Sequence, residues 1–435
     1  MEHITKHTLL LEAHVNTPSG GFDPPARRSA AGHGNRPPHP EPGQTLIATP
    51  PTQVTWHYQD ARGYRTAPSR PPRFFHERLP EYAPTPLVNA ERLAEELGVG
   101  QVWVKDESSR LGLPSFKILG ASWATYRALE VRGRFTDQAW TTVQELARLV
   151  AATTGIEQLA AATDGNHGRA VARVARWLGL KASIFVPADT SRARIEAITS
   201  EGAQLEVVAG GYGDAVRRSA REASDTCLVI SDTSWPGYVD IPHCVVSGYS
   251  TIFEETEQQL ARCDARTPDV VVVQVGVGAL ASAAVRHWRA ASAKTAPRLI
   301  AVEPLAAACN LRSMQAGRLV TIPGPHDSIM VGLNCDSPSL VAWPDVSGGI
   351  DLFLAVGDDA ARKAMRSLAR VGVVAGETGA AGLAGLEELT RGAARSCRDR
   401  LGIDSSASVL LISTEGATDP QAYAHIVHGQ PPHEA

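Results

Sequence analysis

The chain has 435 residues, 43% of them hydrophobic and 20% charged, with a formal net charge of −4. That length and apolar content suffice for two or three domains or one large α/β body. The near-neutral balance gives no electrostatic case for nucleic acid or an anionic membrane as a partner, and no apolar run approaches the ~18 residues of a membrane span.

Residues 1–70 are rich in Pro, Gly, His and Arg and lack apolar periodicity, so they read as a disordered N-terminal arm. The apolar run at 8–11 is too short for a secretory signal core, and Glu2 and Glu12 flank it. Order is predicted to begin near Phe74. A short helix over 90–97 stops at Gly98, and a strand follows over 102–107. A helix is predicted from Lys117 to Leu129, then an amphipathic helix over 143–153 inside a stretch, 132–155, that otherwise resists placement. From there strands and helices alternate: strand 159–162, helix 168–178, strand 182–186, strand 204–208, helix 214–223, strand 227–231, helix 249–260. Strands over 270–275, 299–302 and 409–412 are continuously apolar, as expected when both faces of a parallel sheet are covered. This alternation with short loops predicts a doubly wound α/β architecture. Cys227, Cys244, Cys263, Cys309, Cys335 and Cys397 form no C-x-x-C pair. In a chain this large they read as reduced thiols of a cytoplasmic protein, with no metal site.

Three segments carry chemistry. The first is Pro114-Ser115-Phe116-Lys117-Ile118-Leu119-Gly120. A lysine that forms a Schiff base must lose its proton near neutral pH, which burial or a positive neighbour promotes. Lys117 lies between apolar residues at a helix start, where the helix dipole also disfavours an ammonium. The competing reading is a lysine with its head in water. The second segment is Ala162-Thr163-Asp164-Gly165-Asn166-His167-Gly168, between a strand and a helix. Asn166 can hydrogen-bond a phenolate oxygen on a flat ring, or Asn and Asp can simply cap the helix. The third is Gly276-Val277-Gly278-Ala279-Leu280, again between strand and helix, a loop able to cradle a phosphate. A dinucleotide site is the alternative there, but Ala281 breaks the G-x-G-x-x-G pattern.

Together and in this order the three segments resemble the pyridoxal 5'-phosphate enzymes of the tryptophan-synthase-β fold type (fold type II). More closely, the chain resembles the diaminopropionate ammonia-lyase family over about 85–420. Further stretches that carry the resemblance are Ser231-Asp232-Thr233-Ser234-Trp235-Pro236-Gly237-Tyr238, Ile329-Met330-Val331-Gly332-Leu333-Asn334-Cys335, Gly376-Glu377-Thr378-Gly379-Ala380, and Ser413-Thr414-Glu415-Gly416-Ala417-Thr418-Asp419-Pro420.

The resemblance implies two open twisted-sheet domains with the cofactor in the cleft between them. A larger one would comprise 72–99 and 246–425, a smaller one 100–245, with 426–435 as a tail. It implies that Lys117 binds the cofactor covalently and acts as one base, that Asn166 meets the ring hydroxyl, and that Gly276, Val277, Gly278, Ala279 and Leu280 hold the phosphate. Ser413 or Thr414 would meet the pyridine nitrogen. Asp164 would be a second base, and Asp232 a candidate for recognising the substrate's β-amino group. The implied reaction is α,β-elimination of 2,3-diaminopropionate to pyruvate and ammonia, by a homodimer acting on a small amino acid.

The chain departs from the family where Leu-Gly-Gly, then Ala or Ser and Tyr, is expected after the lysine. It has Leu119-Gly120-Ala121-Ser122-Trp123 instead. Ala121 and Trp123 are therefore expected to reshape the pocket. They keep open elimination or replacement on another β-substituted amino acid, in the manner of serine and threonine dehydratases. A nucleotide-dependent oxidoreductase and a catalytically silent binding protein are the readings from other classes.

Overall fold

The apolar stretches form buried strands because alternate residues serve opposite cores. In the computed structural model, residues 52–56, 61–66, 72–290 and 296–429 are described. Their strands are β1 (Thr52–Trp56), β2 (Leu87–Asn89), β3 (Gln101–Asp106), β4 (Gln158–Ala162), β5 (Lys181–Pro187), β6 (Gln204–Val208), β7 (Cys227–Val229), β8 (Val270–Gln274), β9 (Arg298–Pro304), β10 (Leu352–Val356) and β11 (Ser408–Ser413). A larger sheet runs β1-β10-β9-β8-β11-β3-β2, and a smaller one β6-β5-β4-β7. The smaller sheet is wholly parallel. The larger is parallel apart from its edge pairs, β1 with β10 and β2 with β3.

Such sheets need cover on both faces. In β8, Val271 and Val273 pack into one core cluster while Val270 and Val272 enter another. In β11, Leu410 and Ile412 divide from Val409 and Leu411 in the same way. This is the two-residue period of a strand acting on continuous apolar sequence. The α/β class and the two open sheets are as the sequence predicts.

Four details differ. Part of the arm expected to be disordered over 1–70 is a strand. β1 pairs with β10 at the sheet edge, Thr52 Oγ1 donates to Glu388 Oε2 at 2.9 Å, and the Arg400 guanidinium lies 4.0 Å over the Trp56 ring. Five residues flanked by breakers carry too little local signal, and pairing with a distant strand decides their state. Residues 1–51 lie outside the described residues.

The boundary expected at residue 100 falls too early, because β3 pairs with β11 and β2 in the larger sheet. The tail expected over 426–435 begins inside the Pro420–His428 helix. Asp419 caps that helix by accepting from Ala422 N at 3.1 Å, and Ile426 and Val427 pack against the core.

The stretch 132–155 is ordered by two devices. Thr142 and Glu145 form a reciprocal capping box that starts the Val143–Thr153 helix. Trp140 is buried beside Phe75 and Tyr126. Trp123 joins that aromatic group, 5.4 Å from Phe75 and 5.6 Å from Tyr126, ring to ring.

Candidate active site

Ligand sites in open α/β sheets form beyond the carboxyl ends of strands. Here the loops after β3, β4, β8 and β11 converge on one cleft with about 720 Å³ of empty space, partly open to solvent. Lys117, Asp164, Asn166, Asp232, Gly276, Val277, Gly278, Ala279, Leu280 and Thr414 all line it. Ser413 does not; its hydroxyl is buried and makes no hydrogen bond. Ala121 and Trp123 do not line the cleft either, so the sequence departures that were expected to reshape it face the aromatic core instead.

Lys117 opens the Lys117–Gly133 helix. Its loop is stitched to the end of β11, with Phe116 N donating to Thr414 O at 3.3 Å and Gly416 N to Pro114 O at 2.9 Å. Lys117 Nζ donates to Asp232 Oδ2 at 2.6 Å. Burial favours the neutral amine, but Asp232, Tyr249 and Asp164 outweigh it, and the Lys117 pKa lies above the ordinary lysine value. The positive neighbour sought from sequence is thus replaced by a carboxylate that works the other way.

Asp232 is held below the usual carboxylate range. Burial opposes this, and the Lys117 ammonium and the Tyr212 hydroxyl override it. Its Oδ1 accepts from the Tyr212 hydroxyl at 3.1 Å. His167 Nε2 meets Ile230 O at 2.8 Å, which places the proton on Nε2 and leaves Nδ1 turned to Asp232 at 4.0 Å. Burial lowers the His167 pKa, favouring that neutral ring.

Asp164 shows the reverse. Burial raises its pKa, and Arg194 and Lys117 only partly oppose the shift. Arg194 Nη1 donates to the Asp164 carbonyl at 3.1 Å, fixing the turn that precedes the Asn166–Leu178 helix. Asn166 Nδ2 donates to Glu415 Oε2 in a short contact, and Glu415 Oε1 accepts from Thr378 N at 3.2 Å. Gln274, the last residue of β8, donates from Nε2 to Thr414 Oγ1 at 2.9 Å. Tyr212, Gln274, Cys335, Thr378 and Glu415 also line the cleft. Sequence reasoning did not assign roles to these five.

The loop 275–278 links β8 to the Ala279–Trp288 helix, and Gly278 takes φ +100°, a conformation open to glycine. The Gly276 carbonyl accepts from Asn310 Nδ2 at 2.7 Å and the Val277 carbonyl from Ser339 N at 2.8 Å. In a trans peptide the N–H points opposite to the C=O. Both carbonyls are engaged by groups behind the loop, so the N–H groups of Val277 and Gly278 point the other way. The first-turn N–H groups of a helix, also without intrahelical partners, continue the row. A phosphate fits this cradle, and a lysine, an asparagine and a hydroxyl stand around the rest of the cleft as a pyridoxal ring requires.

The comparisons agree with this geometry. Residues 79–411 match the family model described as "Pyridoxal-phosphate dependent enzyme". The chain is similar to the diaminopropionate ammonia-lyase of Salmonella typhimurium, 37% identical over 369 residues, covering 81% of this chain and 90% of the relative. It is 34% identical to that of Escherichia coli over 362 residues, covering 82% and 90%. The crystal structure of the holo Escherichia coli enzyme superposes with a TM-score of 0.78 at 31% identity, covering 87% of this chain and 97% of that one. With its loops gathered round one cleft and more than four-fifths of its length matched by these relatives, the chain belongs to the diaminopropionate ammonia-lyase family of pyridoxal-phosphate-dependent enzymes.

Proposed function

We propose that the protein is a diaminopropionate ammonia-lyase, eliminating the β-amino group of 2,3-diaminopropionate, after which hydrolysis by water releases the α-amino group, to give pyruvate and ammonia from both nitrogens. One observation carries the reading: a lysine and two carboxylates of opposite character share one cleft. Asp232 sits 2.6 Å from Lys117 and is held anionic, while Asp164 is pushed toward its neutral form. Groups whose surroundings drive their pKa values apart divide acid and base roles.

Bound in the cleft, pyridoxal phosphate supplies the electron sink for the pair left when the α-proton is removed. Lys117 is the residue that binds it covalently, and Asn166, oriented by Glu415, meets the ring hydroxyl. Thr414 rather than Ser413 meets the pyridine nitrogen, because it is Thr414 that faces the cleft. A neutral hydroxyl there leaves that nitrogen unprotonated. The loop 276–280 takes the phosphate.

Lys117 removes the α-proton from one side and Asp164 from the other; the burial that raises the Asp164 pKa makes its ionised form the stronger base. Asp232 receives the cationic β-amino group. A departing amine must leave protonated, and an anionic carboxylate beside it keeps it so. The Tyr212 hydroxyl holds that carboxylate in place. The reading extends to a homodimer in the cytoplasm. It draws the smaller domain around β4–β7 and the helices between 117 and 248, and assigns β3 to the larger one.

The test is pyruvate formation from purified protein offered D- and L-diaminopropionate beside serine, threonine and phosphoserine. Diaminopropionate should be turned over with the highest kcat/KM. Lys117→Ala should abolish turnover and the borohydride-trapped attachment of the cofactor. A preference for serine or phosphoserine, or a Lys117→Ala protein that still traps cofactor, would overturn the substrate or the lysine assignment respectively.

A further inference from the structure

Behind the phosphate loop stands a polar pair that the elimination chemistry does not use. Glu303 lies near the end of β9, is fully buried, and has no cation within 4 Å among the described residues. Its Oε1 accepts from Asn310 N at 2.8 Å and from Asn310 Nδ2 at 3.1 Å. Its Oε2 accepts from Leu311 N at 2.8 Å. The two backbone donors belong to the first turn of the Cys309–Ala316 helix. The carboxylate therefore caps that helix and grips the Asn310 side chain at once.

An amide nitrogen has two hydrogens. One of Asn310's goes to Glu303, and the other goes to the Gly276 carbonyl at 2.7 Å. With both hydrogens committed, the amide has one orientation. Its oxygen is buried without a hydrogen bond, and a Cβ added at Gly278 would stand 3.5 Å from it. A buried amide oxygen left without a donor is costly. The arrangement persists because the nitrogen is needed where it is.

We propose that Asn310, gripped by Glu303, is a positioning residue for the cofactor's phosphate: by drawing the Gly276 carbonyl out of the cleft it turns the Val277 N–H into it. The proposal rests on the pyridoxal-phosphate reading of the cleft and adds a device that selects a phosphomonoester over the same ring without one. Burial also lifts the Glu303 carboxyl to about 7, against the pull of its three donors, so the grip is strongest when that group is ionised.

Apoenzyme is titrated separately with pyridoxal phosphate and with pyridoxal, following absorbance, for the wild type, Asn310→Leu, Asn310→Asp and Glu303→Gln. Asn310→Leu keeps the volume and removes the donor. Asn310→Asp keeps the shape and sets an anion between Glu303 and the Gly276 carbonyl. Pyridoxal phosphate affinity should fall about 10–100-fold, the scale of one lost buried hydrogen bond and its orphaned partner, while pyridoxal affinity stays within about twofold. The ³¹P resonance of the bound cofactor should move in the same variants.

Glu303→Gln combined with Asn310→Leu should lose no more affinity than Asn310→Leu alone, since Glu303 acts through Asn310. Equal losses for the two ligands, or a lower apoenzyme melting temperature with unchanged affinity for both, would make the pair a plain structural brace and overturn the proposal. If Asn310→Asp does not fold, Asn310→Leu and Glu303→Gln carry the same comparison. A wild-type protein that binds neither ligand would sink the cofactor reading itself. Wild-type binding with an unchanged ratio in the variants sinks only the positioning role.

Discussion

The pair Lys117–Asp232 and the separate Asp164 set what single residues do. Lys117 was legible because its Ser-Phe-Lys string sits at a helix start in a chain poor in lysine. Its partner's effect was not, since Asp232 follows it by more than a hundred positions and only folding sets the 2.6 Å contact. Ser413 and Thr414 could not be separated from sequence either. Adjacent residues at a strand end project to opposite sides, and register decides which one meets the cleft. Tyr212, Gln274 and Glu415 are lone polar residues whose roles come from where their elements end. If Asp164 serves one face of the substrate, Asp164→Asn should lower pyruvate formation from one enantiomer of diaminopropionate about 10²–10⁴-fold and spare the other, because Lys117 still serves the opposite face. Equal losses for both would reduce Asp164 to a shared electrostatic role. Glu377 offers a pH test. Burial lifts its carboxyl to about 7, with Glu415 adding to the rise and Arg194 opposing it. A carboxyl whose pKa is higher in the folded state contributes stability that is complete below its ordinary pKa, near 4.5, and is lost as the pH rises through 7. Glu377→Gln removes that loss. Its melting temperature relative to wild type should therefore be higher at pH 8 than at pH 5, and a pH-independent difference would contradict the burial argument.

At the scale of elements, long apolar runs and capped helices were readable, and short pieces were not. The Val143–Thr153 helix falls where its amphipathic pattern predicts. The Asn166–Leu178 helix begins two residues before its expected start at Gly168, so Asn166 stands in its first turn. β10, Leu-Phe-Leu-Ala-Val between glycine-bearing turns, is a strand absent from the predicted elements, although its apolar residues suit one. β2 has three residues and β1 five, and both are edge strands ordered by their neighbours. Trp123 looked like a pocket residue in a linear pattern. The helical turn instead aims it at Phe74 and Phe75, while Gly120 packs against the Tyr249 ring. β1 gives the element-scale prediction. A protein lacking residues 1–60 should melt below one lacking 1–48, because only the longer deletion removes the edge pairing, the Thr52–Glu388 hydrogen bond and the Trp56–Arg400 contact. Pyruvate formation at low temperature should be alike in the two. Matching melting curves would mean that β1 adds nothing to the sheet's stability.

For the whole molecule, a fully buried ionic network ties β3 to the Ser250–Arg262 helix. Glu255 bridges Lys105 at 2.8 Å and Arg110 at 2.7 Å, and Arg110 also meets Glu107 at 2.7 Å, all fully buried. Removing one partner strands buried charge, so Glu255→Gln should cost about 3–5 kcal/mol in urea denaturation. A loss below about 1 kcal/mol would mean that Lys105 gives up its proton instead. Class and cleft were legible at this scale because βα alternation and loop chemistry are local. Sheet order was not, since it depends on which distant strands meet. That order has a consequence for how the protein is made. β11, the last of the described strands in chain order, lies between β8 and β3 at the heart of the larger sheet. Until it emerges, the larger sheet exists only as two unjoined pieces with bare inner edges, while the smaller sheet, complete by Val229, is free to close. The cleft is therefore assembled only once β11 has been made. A nascent chain stalled before Ser408 should be the form that chaperones hold and proteases find.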